Sequence, residues 1–214
     1  MILIGMFDSP FVRRVAVTMH FLNVPFEHRN WSVGKDFELI RRYNPLGRVP
    51  ALVTDDGEAL IESAAILDFL DERAGPERAL LPCTGRDRRE ALQWMAIASG
   101  AAEKGVLQIY EGAFRPTEKR HEPWIERCRT QMHAGLAELE RHTKACTGAW
   151  LIAQRMTQAD ITVACVYRFL NEALLGGGAS LQYPALTDFC ARLEALREFR
   201  AVEIAAFSPP KALI

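Results

Sequence analysis

A serine stands where a short apolar run gives way to a helical pattern, at Asp8-Ser9-Pro10. The run at residues 2–4 predicts a buried strand, and Pro10 suits the first turn of a helix. Backbone N–H groups at a helix N-terminus favour an anion, so a thiolate could be held there. A hydrogen bond from the Ser9 hydroxyl would lower the pKa of that thiol. A role as an N-cap alone would also account for Ser9.

The second feature is the segment NPLGRVP at residues 44–50, directly before a predicted strand. A bond between any residue and proline adopts the cis form far more readily than other peptide bonds. A cis Val49-Pro50 bond would expose the N–H and C=O of Val49, which could then pair with an extended peptide as a strand edge does. An ordinary trans proline at the start of a strand is the alternative.

The third feature is Glu62-Ser63, at the predicted start of another helix. The helix N-terminus and the Ser63 hydroxyl together suit a carboxylate, while Glu62 could pair with an ammonium group. An amino-acid head group carries both of these charges. A routine capping pair with an acidic residue in the first turn is the alternative.

The elements that would position these residues divide the chain into two parts. Strand and helix signals predict the order β-α-β-α-β-β-α up to about residue 75, with a hairpin turn at Asp55-Asp56-Gly57. A turn-rich segment at 76–86 follows, and then the strand signals end. Amphipathic helical segments are predicted at 87–115, 118–146, 158–174, 184–194 and 196–206.

Thr157 to Asp160 form a predicted capping box, with aspartate in the place of the usual glutamate or glutamine. Met156 and Ile161 occupy the positions of a hydrophobic staple. We expect this motif to serve the stability of the helix that follows it.

The composition excludes several classes of protein. The chain has 214 residues, 49% of them hydrophobic, and its net charge of -1 does not indicate binding to nucleic acid or to an anionic membrane. No apolar run approaches the roughly 20 residues that span a bilayer, and the N-terminus lacks the pattern of a signal peptide. The five cysteines are odd in number and widely spaced, which disfavours a disulfide framework or a metal site. We therefore expect a cytoplasmic protein with reduced thiols.

These motifs, in this order and at these spacings, resemble the cytosolic glutathione transferase family. The resemblance covers nearly the whole chain, from SPFVRRV through NPLGRVPALV and ESAAILDFL to MTQADIT. It implies an α/β thioredoxin-like N-terminal domain at 1–78, a linker at 79–86 and an all-α C-terminal helical domain at 87–214. It also implies a homodimer with each active site near the subunit boundary.

The resemblance implies a role for each matching residue. Ser9 matches the residue that activates the glutathione thiol in serine-type members, and Val49, with Pro50 cis, matches the backbone clamp on the cysteinyl moiety. Glu62 and Ser63 match the pair that binds the γ-glutamyl head. The glycine carboxylate is expected at Lys35 or, as an alternative, at Arg48.

The expected substrates are glutathione, as co-substrate, and a small hydrophobic electrophile, with no metal. Residues that face the expected electrophile cleft, or alternatively only pack in the core, are Phe11, Val12, Ile109, Tyr110, Phe114 and Trp124.

Departures from the family pattern narrow the chemistry. Phe7 stands where tyrosine-type members carry their catalytic tyrosine, and no cysteine precedes Cys83, which disfavours glutathione-dependent reduction. The expected activity is glutathione transfer to an electrophilic carbon, as in detoxification. A non-catalytic interaction protein with the same fold, or a glutathione-dependent isomerase or dehalogenase, are the alternatives.

Overall fold

The computed structural model describes residues 1–152, 154–176 and 178–202 of the 214. Its N-terminal domain has the predicted β-α-β-α-β-β-α order. The elements are β1 (Ile2–Ile4), α1 (Pro10–Phe21), β2 (Glu27–Arg29), α2 (Phe37–Ile40), β3 (Ala51–Val53), β4 (Ala59–Ile61) and α3 (Ser63–Ala74).

The four strands form one mixed sheet in the order β2-β1-β3-β4. β1 pairs in parallel with β2, and β3 pairs antiparallel with both β1 and β4. A right-handed βαβ unit is the usual way to join parallel neighbours, and a tight hairpin joins antiparallel ones. The expected α/β thioredoxin-like arrangement of the N-terminal domain is therefore confirmed.

Successive residues of each strand contribute to different faces of the sheet, as the pleat requires. Leu3 and Leu52 are fully buried in the main core with α1 and α3, whereas Ile4 and Ala51 pack with Ile40 of α2 in a smaller cluster. The sheet is therefore covered on both faces, and α1 lies inside the molecule.

The C-terminal domain is helical, as predicted. Its elements are α4 (Gly85–Phe114), a 3-10 turn (Thr117–Lys119), α5 (Glu122–Ala145), α6 (Gln158–Ala173), α7 (Ala179–Gln182), α8 (Pro184–Glu194) and α9 (Arg197–Arg200). The helix predicted from residue 118 begins at Glu122, because Pro123 fits only the first turn. The segment predicted at 196–206 contains α9, and its residues 203–206 lie outside the described residues. No helix in the described part of the chain has both the length and the apolar character needed to span a bilayer.

The predicted capping box is present at the start of α6. Asp160 accepts hydrogen bonds from the Thr157 N–H and hydroxyl, both at 2.7 Å, and from the Leu151 N–H at 2.9 Å. Burial raises the pKa of the Asp160 carboxyl, and these hydrogen bonds oppose that change. The carboxylate thus holds the loop before α6 as well as the first turn of the helix.

Replacing Asp160 should destabilise the protein. We expect Asp160→Ala to lower the free energy of unfolding by about 2–4 kcal/mol, because it removes a cap and leaves buried donors without an acceptor. Urea denaturation followed by circular dichroism measures this value. Asp188→Ala, at an exposed position of α8, is the control and should change the free energy by less than about 0.5 kcal/mol. Equal midpoints for the two variants would contradict the structural role of Asp160.

Candidate active site

Ser9 caps α1 and keeps its hydroxyl proton available. Its backbone is extended, and its Oγ accepts a long hydrogen bond of 3.4 Å from the Val12 N–H. A hydroxyl that accepts one hydrogen bond can still donate its own proton. The half-buried Ser9 can therefore donate to an anion at the start of α1 while it caps the helix.

The loop before β3 is held in place by Asn44, the first residue of the NPLGRVP segment. Its side-chain amide donates to the Arg48 carbonyl at 2.8 Å, and its Oδ1 accepts from the Leu46 N–H at 3.0 Å. The Val49-Pro50 peptide bond is cis. Val49 itself is half-buried.

A glycine at the end of β1 allows this loop to approach α1. Gly5 has a φ of 132°, and a Cβ there would lie 2.5 Å from a Val12 methyl group and 2.8 Å from the Val49 Cβ. Both distances are shorter than any ordinary contact, so only glycine fits. The position of Val49 relative to the first turn of α1 therefore depends on Gly5.

Glu62 and Ser63 form the third part of the site. Glu62 has a φ of 68°, a strained value for a residue with a side chain, and its Oε1 accepts from the Ser63 N–H at 3.1 Å. Ser63 is completely buried. The N-terminus of α3 thus already holds one carboxylate, that of Glu62, and a ligand carboxylate must displace it to reach the Ser63 N–H.

Arg14 contacts Ser63 inside the protein. The sequence alone did not identify it as part of the site. Its Nη2 donates to the Ser63 Oγ at 2.6 Å. Burial lowers the pKa of the Arg14 guanidinium to about 10, so it stays charged at neutral pH. The available signal was the pair Arg13-Arg14 inside an otherwise apolar helix.

The contacts of α1 connect these parts. Ser9 bonds to Val12, Val12 underlies Gly5 and Val49, and Arg14 reaches Ser63. Lys35 and Arg48, the two cations predicted from the sequence, are both exposed. They are therefore less closely tied to the residues that α1 connects.

The expected electrophile residues separate into two groups. Tyr110, Phe114 and Trp124 line one groove of about 450 Å³ with Leu107, Glu111 and Arg115. Burial raises the pKa of Tyr110, whose hydroxyl also lies within electrostatic range of Arg48 and Asp8. The groove residue Tyr110 thus lies within electrostatic range of Asp8, which directly precedes Ser9 in the sequence.

Three of the expected electrophile residues do not line that groove. Phe11 is half-buried beneath the Arg14 guanidinium, and Ile109 packs on the core. Val12 is fully buried, in keeping with the alternative of core packing, and it supports the close approach at Gly5. Within the described residues no group of three or more His, Cys, Asp or Glu side chains is arranged to hold a metal ion.

Family models match both halves of the chain. The glutathione S-transferase N-terminal domain matches residues 3–78, and the glutathione S-transferase C-terminal domain matches residues 122–199. The chain belongs to the glutathione S-transferase family. The expected family and fold are therefore confirmed.

Several proteins are similar to this glutathione S-transferase family member over nearly its whole chain. The uncharacterized GST-like protein YibF of Escherichia coli K12 is 30% identical over 98% of this chain and 99% of its own length. A crystal structure of a glutathione S-transferase from Methylobacterium radiotolerans, in complex with glutathione sulfonate, has 27% identity and a TM-score of 0.89, with 97% and 96% of the chains covered. Another, from Methylobacillus flagellatus with glutathione bound, has 25% identity and a TM-score of 0.87, with 95% and 99% covered.

The close approach at Gly5 can be tested with a matched pair of glycines. Gly5 and Gly57 both have positive φ values, of 132° and 90°, but a Cβ at Gly57 would meet nothing within 4 Å. We expect Gly5→Ala to cost about 2 kcal/mol more in unfolding free energy than Gly57→Ala, because it adds overpacking to backbone strain. Thermal and urea unfolding measure both values. Equal losses would show that Val12 and Val49 are not held against Gly5.

Proposed function

We propose that the protein binds glutathione and activates its thiol for attack on a small hydrophobic electrophile. The observation that supports this most directly is the Ser9 hydroxyl, which stands at the N-terminus of α1 with its proton free to donate. The family relationship supports it too, because relatives that share this fold carry glutathione or its sulfonate.

Each part of the tripeptide has a matching group in the site. Val49 would pair its backbone with the cysteinyl residue as a strand edge does, which its half-buried position and the cis bond to Pro50 support. Glu62 would bind the ammonium group of the γ-glutamyl head, and Ser63 its carboxylate. Either Lys35 or Arg48, both exposed, would meet the glycine carboxylate.

The chemical step would need little from the side chains beyond a stabilised sulfur anion. The Ser9 hydroxyl and the N-terminus of α1 would both favour the thiolate over the thiol, which lowers the thiol pKa. The thiolate then forms a carbon–sulfur bond with the electrophile, which expels a leaving group or takes a proton from water. Ser9 donates a hydrogen bond throughout and forms no covalent bond.

The electrophile would lie between Ser9 and the groove of Tyr110, Phe114 and Trp124, whose aromatic surfaces suit a small apolar molecule. Detoxification of such compounds in the cytoplasm, by a homodimer, is the biological setting that we propose.

Substitutions at Ser9 test the proposed chemistry. We expect Ser9→Ala to raise the pKa of bound glutathione by roughly two units and to lower kcat/KM about 100-fold at neutral pH, because the thiolate loses its donor. The ultraviolet absorbance of the thiolate against pH gives the first value. Turnover of an activated aryl halide gives the second.

Two further variants separate catalysis from helix capping. Ser9→Gly removes the hydroxyl but costs the helix only a few tenths of a kcal/mol, whereas Ser9→Ala costs about 1 kcal/mol. Both should lose activity equally, and Ser9→Thr should keep most of it. An unchanged thiol pKa in Ser9→Ala and Ser9→Gly would refute the role of Ser9.

Tight glutathione binding without turnover of any electrophile in a broad panel would favour a non-catalytic interaction protein. Turnover of isomerisation or dehalogenation substrates alone would favour those chemistries.

A further inference from the structure

The groove of Tyr110, Phe114 and Trp124 is aromatic along most of its length and charged at one end. Glu111 and Arg115 belong to the same lining. They are one helical turn apart and form an ion pair, in which the Arg115 Nε lies 2.9 Å from the Glu111 Oε1. A purely apolar molecule would contact the rings and leave this charged end without a partner.

The two members of the ion pair are not equally available to a ligand. The Glu111 side chain is only 9% exposed, and its Oε1 also accepts from the His121 N–H at 3.2 Å. The Arg115 side chain is 55% exposed and contacts Glu111 through Nε alone. Its Nη1 and Nη2 have no hydrogen-bond partner among the described residues. These two groups form a fork that matches the two oxygens of a carboxylate.

The charges around the groove also favour an anion. Lys104 places its Nζ 5.7 Å from the centroid of the Trp124 ring, and Arg120 donates to the Arg115 carbonyl at 3.2 Å. Cations therefore outnumber carboxylates among the described groups that contact the groove residues or act on them electrostatically. The cations are Arg48, Lys104, Arg115 and Arg120, and the carboxylates are Asp8 and Glu111.

The groove has a direction along α4. The hydroxyl of Tyr110 lies within electrostatic range of Asp8, the neighbour of Ser9 in the sequence, so we expect this end to face the thiol. Arg115 follows five residues later, about 7 Å further along the helix axis. The ring of Phe114, 4.9 Å from that of Tyr110, lies between the two ends. A ligand ring that packs there would have its two opposite carbons directed at the thiol and at Arg115.

We propose that the groove selects small aromatic electrophiles that carry a carboxylate opposite the reacting carbon, and that Arg115 binds this carboxylate. The inference rests on the proposed glutathione transfer and deepens it, because it names the class of electrophile. The ligand ring packs on the aromatic lining, and Nη1 and Nη2 of Arg115 donate to its carboxylate. With an aryl chloride, the thiolate forms the carbon–sulfur bond, the carbon–chlorine bond breaks and chloride leaves.

A matched pair of electrophiles tests this selection. 4-Chloro-3,5-dinitrobenzoate and 4-chloro-3,5-dinitrobenzamide have similar shapes and differ in the charge opposite the reacting carbon. The measurement is kcat/KM for each with glutathione, divided by the rate constant of the uncatalysed reaction. We expect the acid-to-amide ratio of these corrected values to be about ten for the wild-type protein. The ratio should fall in 1 M NaCl, because the Arg115 side chain is half exposed and its charge is screened.

Variants at the ion pair should move this ratio in opposite directions. Glu111→Gln keeps an acceptor for the His121 N–H and for Arg115 but removes the competing negative charge, so the ratio should rise about threefold. Adding Arg115→Met to Glu111→Gln should lower the ratio to about one, and it leaves no buried carboxylate unpaired. Arg115→Lys keeps the charge without the fork and should give an intermediate ratio.

Arg86→Met is the matched control. Arg86 forms the same kind of ion pair on the same helix, with Glu90 one turn away at 2.6 Å. It precedes Arg115 by 29 residues, or about 43 Å along α4, so its charge is screened from the groove. The acid-to-amide ratio should therefore stay at the wild-type value.

The possible results separate this inference from the proposed function. Turnover of both electrophiles with the same ratio in Glu111→Gln and in the double variant would overturn the role of Arg115 and leave glutathione transfer intact. An equal loss in Arg86→Met would also overturn it, because it would reflect net charge alone.

If neither electrophile is turned over, isothermal titration calorimetry with the two aryl–glutathione conjugates gives the answer from binding. Tighter binding of the acid conjugate that is lost with Arg115→Met would support the selection although the proposed catalysis fails. Equal binding of the two conjugates by the wild-type protein would overturn the selection. Absence of binding to glutathione and to both conjugates would overturn both proposals.

Discussion

The burial of two guanidinium groups on one helix is the constraint on which the arrangement of the site depends. Charge is costly inside a protein unless it is met by well-placed partners. Arg13 meets Glu194 at the end of α8, and Arg14 meets hydroxyls on α3, α4 and α6. Because these partners come from both domains, α1 cannot shift without breaking them. The helical domain thereby fixes the direction of α1, and with it the place of Ser9.

The site is built mainly from the beginnings of secondary-structure elements. Ser9 precedes α1, Val49 precedes β3, and Glu62 precedes α3. The first N–H groups of a helix have no partner within the helix, so at α1 and α3 they can bind a cap or a ligand. Such a site needs few special side chains. It depends more on exact backbone placement, which the close approach at Gly5 supplies.

The sequence predicted what is local and missed what depends on distant contacts. The element order and the capping box at Thr157 follow from hydrophobic periodicity and from residues within a few positions of each other. The role of Arg14 does not, because its partners Ser63 and Thr162 are 49 and 148 positions away. Helical periodicity assigns polar residues to the solvent side, yet α1 is covered on all sides over most of its length. The single turn of α7 was missed because it is too short to show a period.

The Glu62 carboxylate accepts a hydrogen bond from the Ser63 N–H, so a ligand carboxylate at the start of α3 would have to replace it. A carboxylate that arrives there competes with one that is tethered to the next residue and therefore present at a very high effective concentration. A simple carboxylic acid carries no cation that could pair with the displaced Glu62 carboxylate, so it would compete poorly. A zwitterionic head group brings its own ammonium, which gives the displaced carboxylate a new partner. In the proposed complex, Glu62 would thus be a tethered competitor that an amino-acid head group, with its own ammonium, can displace.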